Sequence, residues 1–120
     1  KFKSVNDRFG HNAGDKALKK LVAILSEIHR NTDACFRFGG EEFVVVLNST
    51  DTDGAMVIAE RLRQGVERKR INYLEHSFRL TVSIGVTTWQ TSDTAESLFE
   101  RADRALYDIK ESGGNQIKRL

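Results

Sequence analysis

Two glycines followed by two glutamates, Gly39-Gly40-Glu41-Glu42-Phe43, stand out first among the residues that could do chemistry. Glycine lets a phosphate or a ribose approach the backbone closely. Adjacent carboxylates suit Mg²⁺, a hard cation that takes oxygen ligands and often shares them with phosphates. In a regular strand successive side chains point to opposite faces, so both glutamates serve one site only if the turn re-aims one of them. A solvated hairpin tip would use the same residues, and local pattern leaves both readings open.

A second polar cluster precedes it, Lys3-Ser4-Val5-Asn6-Asp7 with Phe9-Gly10-His11-Asn12-Ala13-Gly14-Asp15. Asn offers a donor and an acceptor, and an ionised Asp only acceptors. A carboxylate matches the N1–H and N2–H₂ donors on the edge of guanine. The competing reading is a polar loop whose Asp15 caps the next helix. His11, His29 and His76 lack metal-ligand spacing. Cys35 sits in an apolar run and reads as a small core residue. Trp89 closes a strand and is expected to pack.

Elements must hold these residues in place. Leu18, Leu21, Val22, Leu25 and Ile28 recur at helical spacing, predicting an amphipathic helix over 15–30. Apolar runs 34–38 and 43–47 flank the Gly-Gly pair, predicting an antiparallel hairpin. Thr52 or Asp53 is placed to cap a second helix carrying Met56, Ala59, Leu62 and Val66 and ending near Lys69. Phe78, Leu80, Val82, Ile84 and Val86 alternate with polar residues, the period of one half-buried strand. Asp93 with Glu96 reads as a capping box for a third helix carrying Leu98, Ala102, Ala105, Leu106 and Ile109. Gly113 and Gly114 end it, and 116–120 forms a last edge strand. Interleaved helices and strands predict an α/β or α+β fold with helices on a mainly antiparallel sheet.

Composition sets the bounds. The chain has 39% apolar and 30% charged residues, and we read one domain over 1–120. No unbroken apolar run exceeds five residues, against about 20 for a membrane span. A lone cysteine is consistent with a reducing cytoplasm. Nineteen basic against seventeen acidic residues argue against a nucleic-acid coat or membrane contact by this domain.

The glycine–glutamate pentapeptide resembles the signature of the GGDEF family, the diguanylate cyclases, in its GGEEF form. With average residue frequencies it arises by chance on the order of once in ten thousand chains of this length. Phe2-Lys3-Ser4-Val5-Asn6-Asp7 and Phe9-Gly10-His11-Asn12-Ala13-Gly14-Asp15 are similar to the family's FKxIND and GHxxGD segments. Val82-Ser83-Ile84-Gly85-Val86 resembles its SIGV strand, and 101–110 its RADxALYxAK helix.

The resemblance implies a palm-like fold of the nucleotidyl cyclase and polymerase type. It implies condensation of two GTP into cyclic di-GMP and two pyrophosphates by a homodimer with Mg²⁺ or Mn²⁺. By motif position, Asn6 and Asp15 would hold guanine and His11 would lie near the nucleotide. Gly39 and Gly40 would pass under it. Lys3 would stabilise the transferring phosphate, and Lys110 would contact the outer phosphates. Glu41 would ligate metal and accept the proton, with Glu42 supporting the metal. Arg30-Asn31-Thr32-Asp33 matches the family's RxxD inhibitory site for the product, with Arg61 as a further basic arm.

Two departures follow. The family's first metal aspartate lies before the Phe-Lys pair, so this chain reads as N-terminally truncated and short of one ligand. Gly114 stands where the family commonly has Arg. An alternative is therefore a catalytically silent receptor for GTP or cyclic di-GMP. A sensory or dimerisation domain is expected upstream, and the parent protein could be anchored to a membrane through it.

Overall fold

The computed structural model describes Arg8 and residues 10–28, 33–38 and 42–120. Among them are three helices and six strands. In chain order these are α1 (His11–Ile28), β1 (Ala34–Arg37), β2 (Phe43–Val46), α2 (Thr52–Arg68), β3 (Arg70–Tyr73), β4 (His76–Arg79), β5 (Ile84–Val86), α3 (Ala95–Glu111) and β6 (Ile117–Arg119). The chain divides into two compact units, Lys1–Ser49 with Gly65–Leu80, and Thr50–Gln64 with Thr81–Leu120.

In the first unit α1 begins at His11, four residues before its expected start. Its buried stripe is Ala13, Ala17, Leu21, Ile24 and Leu25, while Val22 is 45% exposed. The two alanines draw the inward face toward the N-terminal end, a rotation that the larger residues alone do not signal. β1 and β2 pair antiparallel, from Ala34↔Val46 to Arg37↔Phe43. The ladder continues to a bond from Phe38 N–H to the Glu42 carbonyl at 2.8 Å. Gly39, Gly40 and Glu41, which connect the two, lie outside the described residues. At the other end of the pair the Asp33 carboxylate accepts the Asn48 N–H at 3.0 Å. β3 and β4 form a second antiparallel hairpin, packed through β3 on α1.

That second hairpin corrects the single strand expected over 78–86. β4 ends at Arg79 in one unit, and β5 starts at Ile84 in the other. Period-2 alternation records which side chains turn inward but not which strand each stretch pairs with.

In the second unit β5 and β6 run parallel and α3 packs on both. The contact is close. A Cβ on Gly85 would stand 2.3 Å from the Ala102 carbonyl oxygen and 3.0 Å from the Leu106 nitrogen. Helix backbone thus lies where any side chain at 85 would go. Ala105 and Ile109, expected on the inner stripe of α3, are buried.

The caps differ from expectation. Asp51, not Thr52 or Asp53, caps α2 by accepting the Gly54 N–H at 2.7 Å. Thr52 instead bonds the Thr88 hydroxyl at 2.6 Å. α3 is capped by Thr94 with Ser97, a reciprocal capping box displaced one residue from the expected Asp93–Glu96 pair. Trp89, expected to pack, is 56% exposed.

Gly85→Ala is expected to destabilise the protein by about 1–3 kcal/mol, as overpacking does. Denaturant or thermal unfolding measures it, and an unchanged midpoint refutes the close approach.

Candidate functional site

His11 and Asp15 are four residues apart on α1, hence on one face, and both are exposed. Because the helix starts at His11, Asp15 stands inside it and not at its cap. The capping explanation for this carboxylate therefore falls away. Asn6 and Lys3 lie outside the described residues.

Glu42 is exposed and enters the hairpin ladder only through its backbone carbonyl. Cys35, Arg37 and Phe43 line a pocket of about 290 Å³ with Val22, Leu25 and Ser26 of α1. By strand alternation the ladder position of Glu42 belongs to the opposite face. Its exposed carboxylate is a hard oxygen donor of the kind Mg²⁺ takes. Glu41, Gly39 and Gly40 lie outside the described residues, and among the described residues no group of three or more His, Cys, Asp or Glu is placed to hold a metal. Burial pushes the Cys35 thiol up, which favours its protonated form. Cys35 is half-buried at the pocket wall, not within the buried core expected for it.

Of the expected inhibitory residues, Arg30 lies outside the described ones. Asp33 is half-buried, and one of its oxygens holds the base of the hairpin. Arg61 is exposed on α2. Sequence pattern did not signal the Asn48 contact, which joins residues 15 apart across a pair whose register was unknown.

Lys110 is exposed in the last turn of α3, in the second unit. Two devices hold its helix. Near the N-terminal end, Arg101 forks onto both oxygens of Asp93, at 2.9 and 2.6 Å, and also binds the Thr87 hydroxyl and the Thr88 carbonyl. Hydrogen bonds from Arg101, and then the Gln90 N–H, hold the Asp93 carboxyl well below the usual carboxylate range. Arg101 was legible as part of a motif, but its partner eight residues earlier was not.

At the C-terminal end the Gly114 N–H reaches the Ile109 carbonyl at 3.0 Å, and the Gly113 N–H reaches Lys110 at 3.2 Å. This is a Schellman motif. Gly113 and Gly114 both have positive φ, 103° and 79°. A turn requirement thus accounts for glycine at 114.

Residues 1–116 match the family described as diguanylate cyclase, GGDEF domain. The chain belongs to the GGDEF family. It is 44% identical over 117 residues to diguanylate cyclase A of Treponema denticola, covering 97% of this chain and 32% of that protein. Diguanylate cyclase DgcM of Escherichia coli is 41% identical over 117 residues, covering 98% of this chain and 28% of the relative. The chain thus spans about a third or less of these relatives' length.

Among solved structures, the active GGEEF domain of a diguanylate cyclase from Vibrio cholerae aligns with TM-score 0.91 at 32% identity, over 98% of this chain and 75% of that one. The GGDEF domain of DgcB from Caulobacter crescentus, in complex with c-di-GMP, aligns with TM-score 0.94 at 26% identity, over 98% and 71%. The GGDEF domain therefore has the palm-like α+β fold of these neighbours. Among the described residues no helix is long and apolar enough to cross a membrane.

Two outcomes are expected from this geometry. Asp93→Asn should lower Tm at neutral pH. Since the folded carboxyl titrates below its unfolded value, this stabilisation is complete above about pH 4 and is lost as pH falls through the folded value. The Tm gap should therefore close in acid, and a gap independent of pH would refute the charge-assisted pair. Gly114→Arg should cost roughly 1–2 kcal/mol, the penalty for a side chain in left-handed backbone. An unchanged Tm would show that the turn does not require glycine.

Proposed function

We propose that this GGDEF domain, within a longer protein, condenses two GTP into cyclic di-GMP and two pyrophosphates. One observation carries most weight. The β1–β2 ladder closes at Phe38–Glu42, so the connection between the strands is the glycine–glutamate motif itself. That supports a tip able to run its backbone beneath a nucleotide at Gly39 and Gly40. The likeness to an active GGEEF domain supports the same reading.

The residues would act as follows. Asp15, exposed on α1, accepts from guanine N1–H and N2–H₂ together with Asn6, and His11 lies beside the nucleotide. Lys3 and Lys110 counter phosphate charge. Each 3′-hydroxyl attacks the α-phosphate of the other GTP, forming the new P–O3′ bond as the bond to pyrophosphate breaks. The hydroxyl proton passes to Glu41. Glu41 and Glu42 would hold Mg²⁺ or Mn²⁺, which supplies charge neutralisation at the reacting phosphate when bound. Two domains facing each other as a homodimer satisfy the stoichiometry, and an upstream segment would bring them together.

Product returning to Arg30 and Asp33, with Arg61 as a further arm, would bind where β1 begins. Asp33 holds the base of the hairpin, so ligand there would act on the hairpin without occupying the GTP site.

In a longer protein containing this domain, Glu41→Gln should lower cyclic di-GMP formation by about 10²-fold or more while leaving GTP binding in place. Chromatographic assay of product, with calorimetry of GTP, reads both. Unchanged turnover in the variant refutes the role of Glu41. Binding of GTP with no turnover in the unmodified protein would favour the receptor reading instead.

A further inference from the structure

The formal charge of +2 averages two unlike units. Lys1–Ser49 with Gly65–Leu80 carries twelve basic and eight acidic side chains, whereas Thr50–Gln64 with Thr81–Leu120 carries seven and nine. Much of the excess sits in and just before the β3–β4 hairpin. There Arg68, Lys69, Arg70 and Arg79 stand against two carboxylates, Glu67 and Glu75, of which only Glu75 lies within the hairpin.

The register shows which way these charges face. Arg70 lies directly opposite Arg79, and Asn72 opposite Ser77, on one face; Ile71, Tyr73, His76 and Phe78 occupy the other. Ile71 is only 3% exposed and β3 packs on α1, so the arginine face is the outward one. Arg70, Asn72, Ser77 and Arg79 are all exposed.

Like charges directly opposite destabilise a strand pair. Arg70 relieves this only by donating to the Ser77 hydroxyl at 3.0 Å, and among the described residues neither arginine pairs with a carboxylate. Lys16 adds a further cation, reaching the Asn72 carbonyl from α1.

The turn of this hairpin adds a second, independent feature. Leu74 is 83% exposed with φ +53°. Left-handed turn positions ordinarily take Gly, Asn or Asp, and a bulky residue there is an outlier. Here an apolar side chain is held largely in water at a strained position.

An exposed leucine in the turn, beside Glu75, on a ribbon with a cationic outer face suits one surface chemistry. The tip enters the boundary between headgroups and acyl chains, and guanidinium groups meet lipid phosphates. An acidic protein would satisfy the arginines but leave the leucine without a role. Single-stranded nucleic acid would call for aromatic side chains on the outward face, which has none. We propose that the β3–β4 hairpin docks this domain onto an anionic phospholipid surface, with Leu74 as the inserted tip. The contact is peripheral and does not depend on the cyclase reading.

The test is co-sedimentation of the 120-residue chain with vesicles of phosphatidylcholine and phosphatidylglycerol, compared with phosphatidylcholine alone. Binding is expected to the mixed vesicles only, weakening with added salt. Arg70→Glu with Arg79→Glu should lower apparent affinity by about tenfold or more. Leu74→Asn should lower it by roughly three- to tenfold, as a partly inserted leucine implies. Asparagine tolerates left-handed backbone, so this variant stays folded and its loss reports insertion. Arg104→Glu, exposed on α3, should have no effect. The proposal is overturned if mixed vesicles do not bind the chain, if neutral vesicles bind it equally, or if binding survives the double charge reversal. Retained binding in Leu74→Asn also overturns it, because the contact would then be electrostatic without a membrane-inserted tip.

Discussion

The hydrogen bond from Phe38 N–H to the Glu42 carbonyl closes a ladder that begins at Ala34↔Val46, and the candidate site depends on that register. A slip of one residue would turn every side chain of one strand to the other face. Either Cys35 and Arg37 of β1 or Phe43 of β2 would leave the pocket they share with α1, and the connection would no longer be Gly39-Gly40-Glu41. The bond from Asn48 to Asp33 at the far end removes much of that freedom. The four-residue pair is thus held at both of its described ends.

The second unit solves a different problem, the placement of a long helix that carries Lys110 near its end. Gly85 removes the side chain between β5 and α3, so backbone meets backbone. The Arg101 fork ties the helix to the segment before it, and the Schellman turn at Gly113 and Gly114 ends it just past Lys110. Steric contact sets the distance of the helix, the ion pair opposes rotation, and the turn fixes its length.

Charge is distributed by unit, and the whole-chain balance conceals this. The acidic excess of the unit holding α3 cancels much of the basic excess around β3 and β4. Long-range attraction between molecules falls off within about 10 Å at moderate salt. A partner therefore meets the local charge of one face and not the sum, so an argument from net charge missed the cationic hairpin.

The sequence by itself determined the local and the chemical. Apolar spacing set three helices because a 3.6-residue period needs no knowledge of the partner surface. Gly39-Gly40 between apolar runs set the hairpin because the turn signal is local. The motif chemistry set the family. Tertiary structure decided what depends on pairing between distant residues. It divided 78–86 between β4 and β5, since alternation is the same whichever strand pairs with it. It ran β6 parallel to β5 and shifted the inward face of α1 onto Ala13 and Ala17. It drew Asp93 out of a cap and into an ion pair, because a carboxylate suits both and only packing brings Arg101 within reach. It also set Arg70 opposite Arg79, a relation that exists only once two strands have chosen their register.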